Sequence, residues 1–187
     1  DADTGETVWS FFTEGPVRLA PTVVDGRLYV GSDDGCVYCL EADDGTLVWK
    51  NRPGPEDRRA PGNDRVISLW AIRSGVVREG ETVYACAGVF PHETVYLCAM
   101  NAATGEELWK TSMNDFPAQG YMLSSPTRLF VTTGRSQPLV FDRSDGKRLY
   151  QASSGSEGGT YALVVGDTLT YGPVKTAQLG VSGADYP

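Results

Sequence analysis

A short motif occurs four times in this sequence and constrains the fold more than any other feature. The segments at residues 1–9, 41–49, 101–109 and 142–150 read DADTGETVW, EADDGTLVW, NAATGEELW and DRSDGKRLY. The aromatic residues that end them are spaced by 40, 60 and 41 positions. A period of about 40 residues is typical of repeat architectures in which each unit packs on its neighbours. The longer spacing indicates one insertion of about 20 residues.

Each period contains short segments of strand-forming residues separated by turn residues. In the best-preserved period, the predicted strands lie at residues 21–24, 27–32, 36–40 and 46–50. The Asp25-Gly26 pair between the first two favours a tight hairpin turn, because such turns need positive φ angles. Four antiparallel strands per period form one blade of a β-propeller. We therefore predict an all-β fold.

The predicted blades cover residues 21–50, 70–110, 122–151 and 161–187 of a single partial propeller domain. The last blade is incomplete, because its third and fourth strands show no clear pattern. Residues 1–12 are predicted to be the outer strand of a preceding blade, or of a blade that closes a small ring. We favour a piece of a longer propeller whose remaining blades cover the open edges, since exposed edges leave strands unpaired.

The repeated segments resemble the tryptophan-docking motif of the quinoprotein (PQQ-like) β-propeller family, approximately A-x-D-x-x-T-G-x-x-x-W. Ala99, Asn101, Thr104, Gly105 and Trp109 match this motif almost fully, and the other copies match with substitutions. The resemblance covers nearly the whole chain and implies a β-propeller of four-stranded antiparallel blades. It also implies structural roles for Trp9, Gly45, Trp49, Gly105, Trp109, Gly146 and Tyr150.

The chemistry of the motif accounts for these structural roles. Glycine supplies the positive φ of a tight turn, and Asp, Asn or Thr side chains accept hydrogen bonds from amides within it. A tryptophan buries a large apolar area and needs an acceptor for its N–H, which the carbonyl of a neighbouring turn provides. We therefore expect the tryptophans to pack between blades rather than to contact a ligand.

Two apparent metal or redox motifs are explained by the repeat. Residues 1–6 look like a calcium loop, but the equivalent segments are turns, and calcium needs six or more oxygen ligands. Cys36 and Cys39 have the spacing of a metal or redox pair, but residues three apart on a strand point to opposite faces. We predict no metal site and expect the four cysteines to be buried apolar residues.

Charge and composition exclude several function classes. The net charge of -8 provides no basic surface for nucleic acid. No run of 18 or more apolar residues predicts a transmembrane segment, and no charged-then-apolar leader is present. His92 is the only histidine, which excludes multi-histidine metal sites and most histidine-based triads within the chain.

The insertion at residues 51–69 is the most informative departure from the repeat. It joins the last strand of one blade to the first strand of the next. In a propeller, such connections lie on the same face as the loops between the second and third strands of each blade. Residues 88–93 should therefore lie beside it. We predict a candidate binding face for a protein or small ligand, made of Arg58, Arg59, Asn63, Arg65, Trp70, Phe90 and His92. Guanidinium groups bind carboxylates, and aromatic rings anchor partners.

The alternative is that the insertion packs as a cap over the ring. In that case its arginines pair with Glu56, Asp57 and Asp64. Substitution of Arg58 and Arg59 by alanine distinguishes the two hypotheses, because only a binding face predicts weaker partner capture at an unchanged melting temperature.

The sequence favours a binding module over an enzyme. The resemblance implies a non-catalytic, exported bacterial scaffold, periplasmic or extracellular, that binds a protein or ligand without a cofactor. It also implies an alternative, because quinoprotein dehydrogenases of similar repeats hold pyrroloquinoline quinone (PQQ) and calcium on the propeller axis beside an adjacent cysteine pair. This chain has no such pair. A second alternative is a sensor or carbohydrate-binding propeller fused to an enzyme.

Overall fold

The computed structural model describes residues 1, 3–62, 65–134, 136–152 and 162–171. Within these residues the regular secondary structure is antiparallel strand, apart from one short 3-10 helix at Pro91–Glu93. No helix in the described ranges is long and apolar enough to cross a membrane.

The strands form three four-stranded sheets, one two-stranded sheet and one hairpin. The first sheet contains β1 (Thr22–Val24), β2 (Arg27–Gly31), β3 (Val37–Glu41) and β4 (Leu47–Asn51). The hairpin contains β5 (Arg59–Gly62) and β6 (Arg65–Ser68). The second sheet contains β7 (Val77–Glu79), β8 (Thr82–Ala87), β9 (Val95–Asn101) and β10 (Glu107–Met113). The third contains β11 (Leu123–Ser124), β12 (Arg128–Val131), β13 (Leu139–Asp142) and β14 (Arg148–Gln151), and the last contains β15 (Ala162–Val165) and β16 (Thr168–Tyr171).

Each four-stranded sheet is a meander in which consecutive strands are neighbours, which is the topology of a propeller blade. This arrangement confirms the predicted all-β fold of four-stranded antiparallel blades. The hairpin β5–β6 occupies most of the insertion, and the sequence did not predict its two strands. The third and fourth strands of the last blade would fall on residues 172–187, which lie outside the described residues.

Neighbouring blades are held together by apolar side chains that alternate along the strands. Val83 and Tyr84 are consecutive on β8, so they point to opposite faces of the second blade. Val83 packs in a buried cluster with Tyr29 of the first blade, whereas Tyr84 packs in another with Leu129 of the third. A further cluster joins the third blade to β15 and β16. Burial of each large side chain contributes about 1.5–3 kcal/mol, so these layers are the main source of stability.

The N-terminal segment packs on the free face of the first blade. Trp9 and Phe11 contact a buried cluster that includes Tyr38 and Leu40. Residues 5–13 nevertheless contain no strand, in contrast to the predicted outer strand at residues 1–12. The physical reason is that a strand requires a hydrogen-bonded neighbour, and none of the described residues pairs with this segment.

Candidate functional site

The tryptophans of the repeat lie against glycines of the following repeat. A Cβ atom added at Gly45 would stand 2.5 Å from the Trp9 ring, and one added at Gly105 would stand 2.6 Å from Trp49. The indole N–H of Trp9 donates to the carbonyl of Ala42 at 3.0 Å. Trp49 donates in the same way to Ala102 at 2.9 Å. These side chains therefore hold the boundaries between blades.

The fourth copy of the motif ends in Tyr150, which has a different environment. Its hydroxyl accepts a hydrogen bond from the Arg128 guanidinium at 3.1 Å, and the guanidinium lies 5.9 Å from the centre of the Tyr150 ring. The contact joins β12 to β14 within the third blade.

The insertion and the loop between β8 and β9 lie side by side, and we call residues 51–70 and 88–94 together the insertion face. Arg58 forms an ion pair with Glu93. The indole N–H of Trp70 donates to the carbonyls of Glu93 and Thr94, both at 3.1 Å. The structure therefore places the insertion where antiparallel blade topology requires it.

Trp70 forms the base of this face, and the Arg58 side chain, which is 49% exposed, lies over it. The Arg58 guanidinium lies 5.6 Å from the centre of the Trp70 ring, which is a cation–π distance, and it also pairs with Glu56 at 3.6 Å. Trp70 is only 4% exposed. The sequence predicted Trp70 as an anchor for a partner, but its burial means that it supports the hairpin from below.

Phe90 and His92 lie at the edge of the insertion face. Their ring centres are 5.8 Å apart, and Nε2 of His92 lies 4.0 Å from a carboxylate oxygen of Glu93. The His92 side chain is 74% exposed, so it is accessible to a partner.

A second charged cluster surrounds Glu14, a residue that no sequence pattern marked as a candidate. Arg59 donates to Glu14 at 2.8 Å and to Asp57 at 3.0 Å, and Lys50 donates to Glu14 at 2.8 Å. Hydrogen bonds from Lys50 and Arg59 lower the pKa of Glu14 from 4.5 to about 2. Glu14 in turn raises the pKa of Lys50, and Asp57 and then Glu14 raise the pKa of Arg59.

Arg65 and Val66 form the exposed end of the hairpin. Val66 is 63% exposed, and both residues line a shallow cavity of about 420 Å³ with residues 13–16. Asn63, which the sequence placed on the binding face, and Asp64, which it offered as an arginine partner, lie outside the described residues. The cap hypothesis expects arginines to pair within the insertion, and Arg58 pairs with Glu56 and Arg59 with Asp57. The end of the hairpin is nevertheless exposed.

Asp33 bonds the base of the hairpin through its backbone carbonyl and binds two arginines through its buried carboxylate. The side chain of Asp33, fully buried in the loop between β2 and β3, accepts hydrogen bonds from Arg18 at 2.6 Å and from Arg73 at 3.0 and 3.1 Å. Its carbonyl accepts the Ser68 amide of β6 at 2.8 Å. One residue therefore joins the N-terminal segment, the hairpin and the second blade.

Among the described residues, no three His, Cys, Asp or Glu side chains lie close enough to share a metal ion. The most buried carboxylate, that of Asp33, is already bonded to two guanidinium groups.

Comparison with known proteins identifies the family. Residues 1–86 and 93–178 match the sequence profile of a family described as outer membrane protein assembly factor BamB. The chain belongs to the BamB family. This membership confirms the resemblance to quinoprotein (PQQ-like) propellers.

Relatives of this BamB-family chain include outer membrane protein assembly factors and dehydrogenases. BamB of Alkalilimnicola ehrlichii is 27% identical over 132 residues, which are 71% of this chain and 31% of that protein. A polyvinylalcohol dehydrogenase of a Pseudomonas species is 32% identical over 127 residues, which are 66% of this chain and 18% of the enzyme. The chain thus spans less than a third of either relative.

A solved structure supports the fold of this BamB-family chain. BamB from Moraxella catarrhalis superposes with a TM-score of 0.68 at 20% identity, covering 90% of this chain and 50% of the other. At this identity the likeness shows the fold alone.

Proposed function

We propose that this chain is part of an exported bacterial scaffold that binds a protein partner through the insertion face. The observation that carries the proposal is the exposed hairpin tip, where Val66 lies beside Arg65 above a rigid base. Membership of the BamB family supports a scaffold, because two relatives are outer membrane protein assembly factors. It also supports a location in the bacterial periplasm.

The geometry of the hairpin favours binding. Its base is fixed by Asp33 and by the contact of Arg58 with Glu93, so less conformational entropy is lost when a partner binds. Long loops on rigid scaffolds frequently carry recognition residues. Val66 offers an apolar contact and Arg65 a guanidinium group, which together match a partner with an apolar side chain flanked by carboxylates.

Site-specific photo-crosslinking in the host bacterium tests the proposal. A photoreactive residue at position 66 of the full parent protein should give an adduct with a component of outer membrane protein assembly, identified by mass spectrometry. The same residue at Leu47, which is exposed on β4 of the first blade, is the matched control. Equal adducts from both positions, or none from position 66, would contradict the proposal.

Substitutions at the tip provide a second test. Arg65→Glu should reduce the adduct and Arg65→Lys should largely retain it, with unchanged melting temperatures for both. Alanine at Arg58 is a less specific test than the sequence implied, because Arg58 packs over Trp70 and its loss should loosen the hairpin.

A second candidate is a segment of a quinone-dependent dehydrogenase. It is favoured by the 32% identity to polyvinylalcohol dehydrogenase. Titration of the parent protein with PQQ and calcium, followed by calorimetry and absorbance, separates the candidates. Stoichiometric binding would support the dehydrogenase, and absence of binding would exclude it.

A further inference from the structure

The third copy of the repeat departs from the first two at one position. Arg143 stands where the earlier copies have Ala42 and Ala102. In those copies the alanine carbonyl accepts the indole N–H of the preceding tryptophan, Trp9 or Trp49. The boundary between the second and third blades therefore differs from the two before it.

Trp109 keeps the ring position of the other tryptophans but not their hydrogen bond. A Cβ atom at Gly146 would stand 2.4 Å from its ring, as close as in the other copies. Among the described residues, however, no acceptor is bonded to its N–H. The Arg143 carbonyl accepts the Tyr84 hydroxyl at 3.5 Å, just as the Ala102 carbonyl accepts the Tyr29 hydroxyl at 3.3 Å, so the difference lies in the indole bond. The indole N–H of Trp109 therefore has no bonded acceptor among the described residues, whereas those of Trp9 and Trp49 each have one.

Trp109 lines a cavity of about 520 Å³ between the second and third blades, which we call the Trp109 groove. The groove lies beside the turns that join the first strand to the second and the third strand to the fourth. The insertion face lies at the other end of these strands, so the two sites are on opposite sides of the blades. Side chains that line the groove include Thr82, Leu108, Pro126, Thr127, Asp142 and Arg143.

The charged groups at the groove already have partners. The Arg143 guanidinium lies 3.5 Å from Glu79. The Asp142 carboxylate accepts hydrogen bonds from the Ser144 amide at 2.8 Å and the Ser144 hydroxyl at 2.6 Å. An anionic ligand would meet Asp142, and a cationic ligand would meet Arg143. The groove therefore favours an uncharged ligand.

The other side chains that line the groove include both polar and apolar ones. The indole N–H of Trp109 can donate a hydrogen bond to a ligand, and the hydroxyls of Thr82 and Thr127 can both donate and accept one. Leu108, which is 53% exposed, and Pro126 provide apolar walls. A chain of hydroxyl-bearing carbons matches this mixture, because its hydroxyls meet the polar groups while its C–H faces pack on the apolar ones.

We propose that the Trp109 groove binds a neutral polyhydroxylated ligand, an oligosaccharide or a linear polyol, with a ligand hydroxyl accepting the indole N–H of Trp109. The site is independent of the proposed scaffold function, since it uses another face and other residues. Either proposal can fail without the other.

Nuclear magnetic resonance of the parent protein tests this proposal directly. The indole N–H signals of the four tryptophans of the chain are followed during titration with maltotriose, cellotriose, sorbitol and, as an anionic control, glutarate. A saturable shift of the Trp109 signal alone, with at least one neutral ligand, is the expected result. The trisaccharides and sorbitol distinguish the two sources of hydroxyl groups. No shift with any neutral ligand, a shift with glutarate only, or equal shifts of all indoles would overturn the proposal.

Matched substitutions separate binding from folding. Trp109→Phe removes the N–H but keeps a ring over Gly146, and should weaken binding about tenfold. Trp49→Phe makes the same change at a satisfied boundary and should leave the affinity unchanged. Arg143→Ala retains Trp109 while removing one wall of the groove, and it should also weaken binding. Wild-type affinity in both groove variants would overturn the proposal.

Discussion

Gly105 lies directly against the indole of Trp49, so that a Cβ atom at position 105 would stand 2.6 Å from ring atom Cδ2. The same glycine has a φ of +73°, a conformation that L residues with side chains rarely adopt. Glycine is therefore required here for two separate reasons, the backbone conformation and the space for the ring.

Substitution of Gly105 by alanine should separate these reasons when compared with Gly26→Ala. Gly26 has a φ of +72°, but its added Cβ would meet nothing within 4 Å. We expect Gly26→Ala to lower the free energy of unfolding by about 1 kcal/mol, from backbone strain alone. Gly105→Ala should cost about 3 kcal/mol, because overpacking against Trp49 is added. Urea denaturation followed by circular dichroism measures both, and equal losses would contradict a role for the Trp49 contact.

The contact of Gly105 with Trp49 was predictable as a packing role because both residues recur with the repeat. Periodicity marks residues that meet the same environment in every blade, so the blades and their boundaries could be predicted. Trp70 was misplaced as an anchor for a partner, since it directly follows the insertion and has no counterpart in the repeated motif. The hairpin β5–β6 was missed for the same reason, and Pro61 further disguises β5.

Contacts between distant loops have no signal in the sequence. Glu14 and Arg59 are 45 positions apart, and neither belongs to the repeated motif. The loss of the Trp109 hydrogen bond was equally hidden, although the Arg143 substitution that accompanies it is visible in the aligned copies. Departures from a repeat were therefore the best available indication of both candidate sites.

Asp33 should be the most sensitive carboxylate in the chain. Its side chain is fully buried between Arg18 and Arg73, and the Arg73 side chain is only 12% exposed. Asp33→Asn should lower the free energy of unfolding by about 3 kcal/mol, because it leaves a largely buried guanidinium without its counter-charge. Asp115→Asn, which breaks the ion pair of two partly exposed side chains, Asp115 and Arg148, should cost less than about 1 kcal/mol. Similar losses in guanidinium chloride denaturation would refute the special role of Asp33.

The Glu14 cluster should make stability depend on pH in the acidic range. The folded-state pKa of Glu14 is lowered from 4.5 to about 2, so its ionised form is favoured by folding. Its stabilising effect is therefore complete above the ordinary pKa and is lost as the pH falls through the folded value. Glu14→Gln should flatten the change in urea midpoint between about pH 5 and pH 2.

Salt provides the control for this prediction. Glu14 is solvent-accessible, so added salt should screen its pairs with Lys50 and Arg59 and reduce the difference between wild type and variant. A variant with the same pH dependence as wild type at low salt would show that Glu14 contributes no pH-dependent stability.

The four cysteines should behave as buried apolar residues. All four are free and buried. Burial, with a smaller contribution from Asp34, raises the pKa of Cys36 to about 11, and burial raises that of Cys86 to about 12. Because the thiolate is the reactive form, an aromatic disulfide reagent near pH 8 should label none of them in the folded protein and all of them after unfolding.

A pair of substitutions at Cys98 checks this assignment by stability. Cys98→Ala removes one buried sulfur and should cost about 1 kcal/mol, whereas Cys98→Ser adds a hydroxyl to an apolar layer and should cost about 2 kcal/mol. Rapid labelling of the folded protein would mean that at least one thiol reaches solvent. Fewer than four labelled thiols after unfolding without reductant would mean that a disulfide had formed. If Cys98→Ser were as stable as wild type, the layer around residue 98 would tolerate polar groups. Burial would then not explain why the thiols are unreactive.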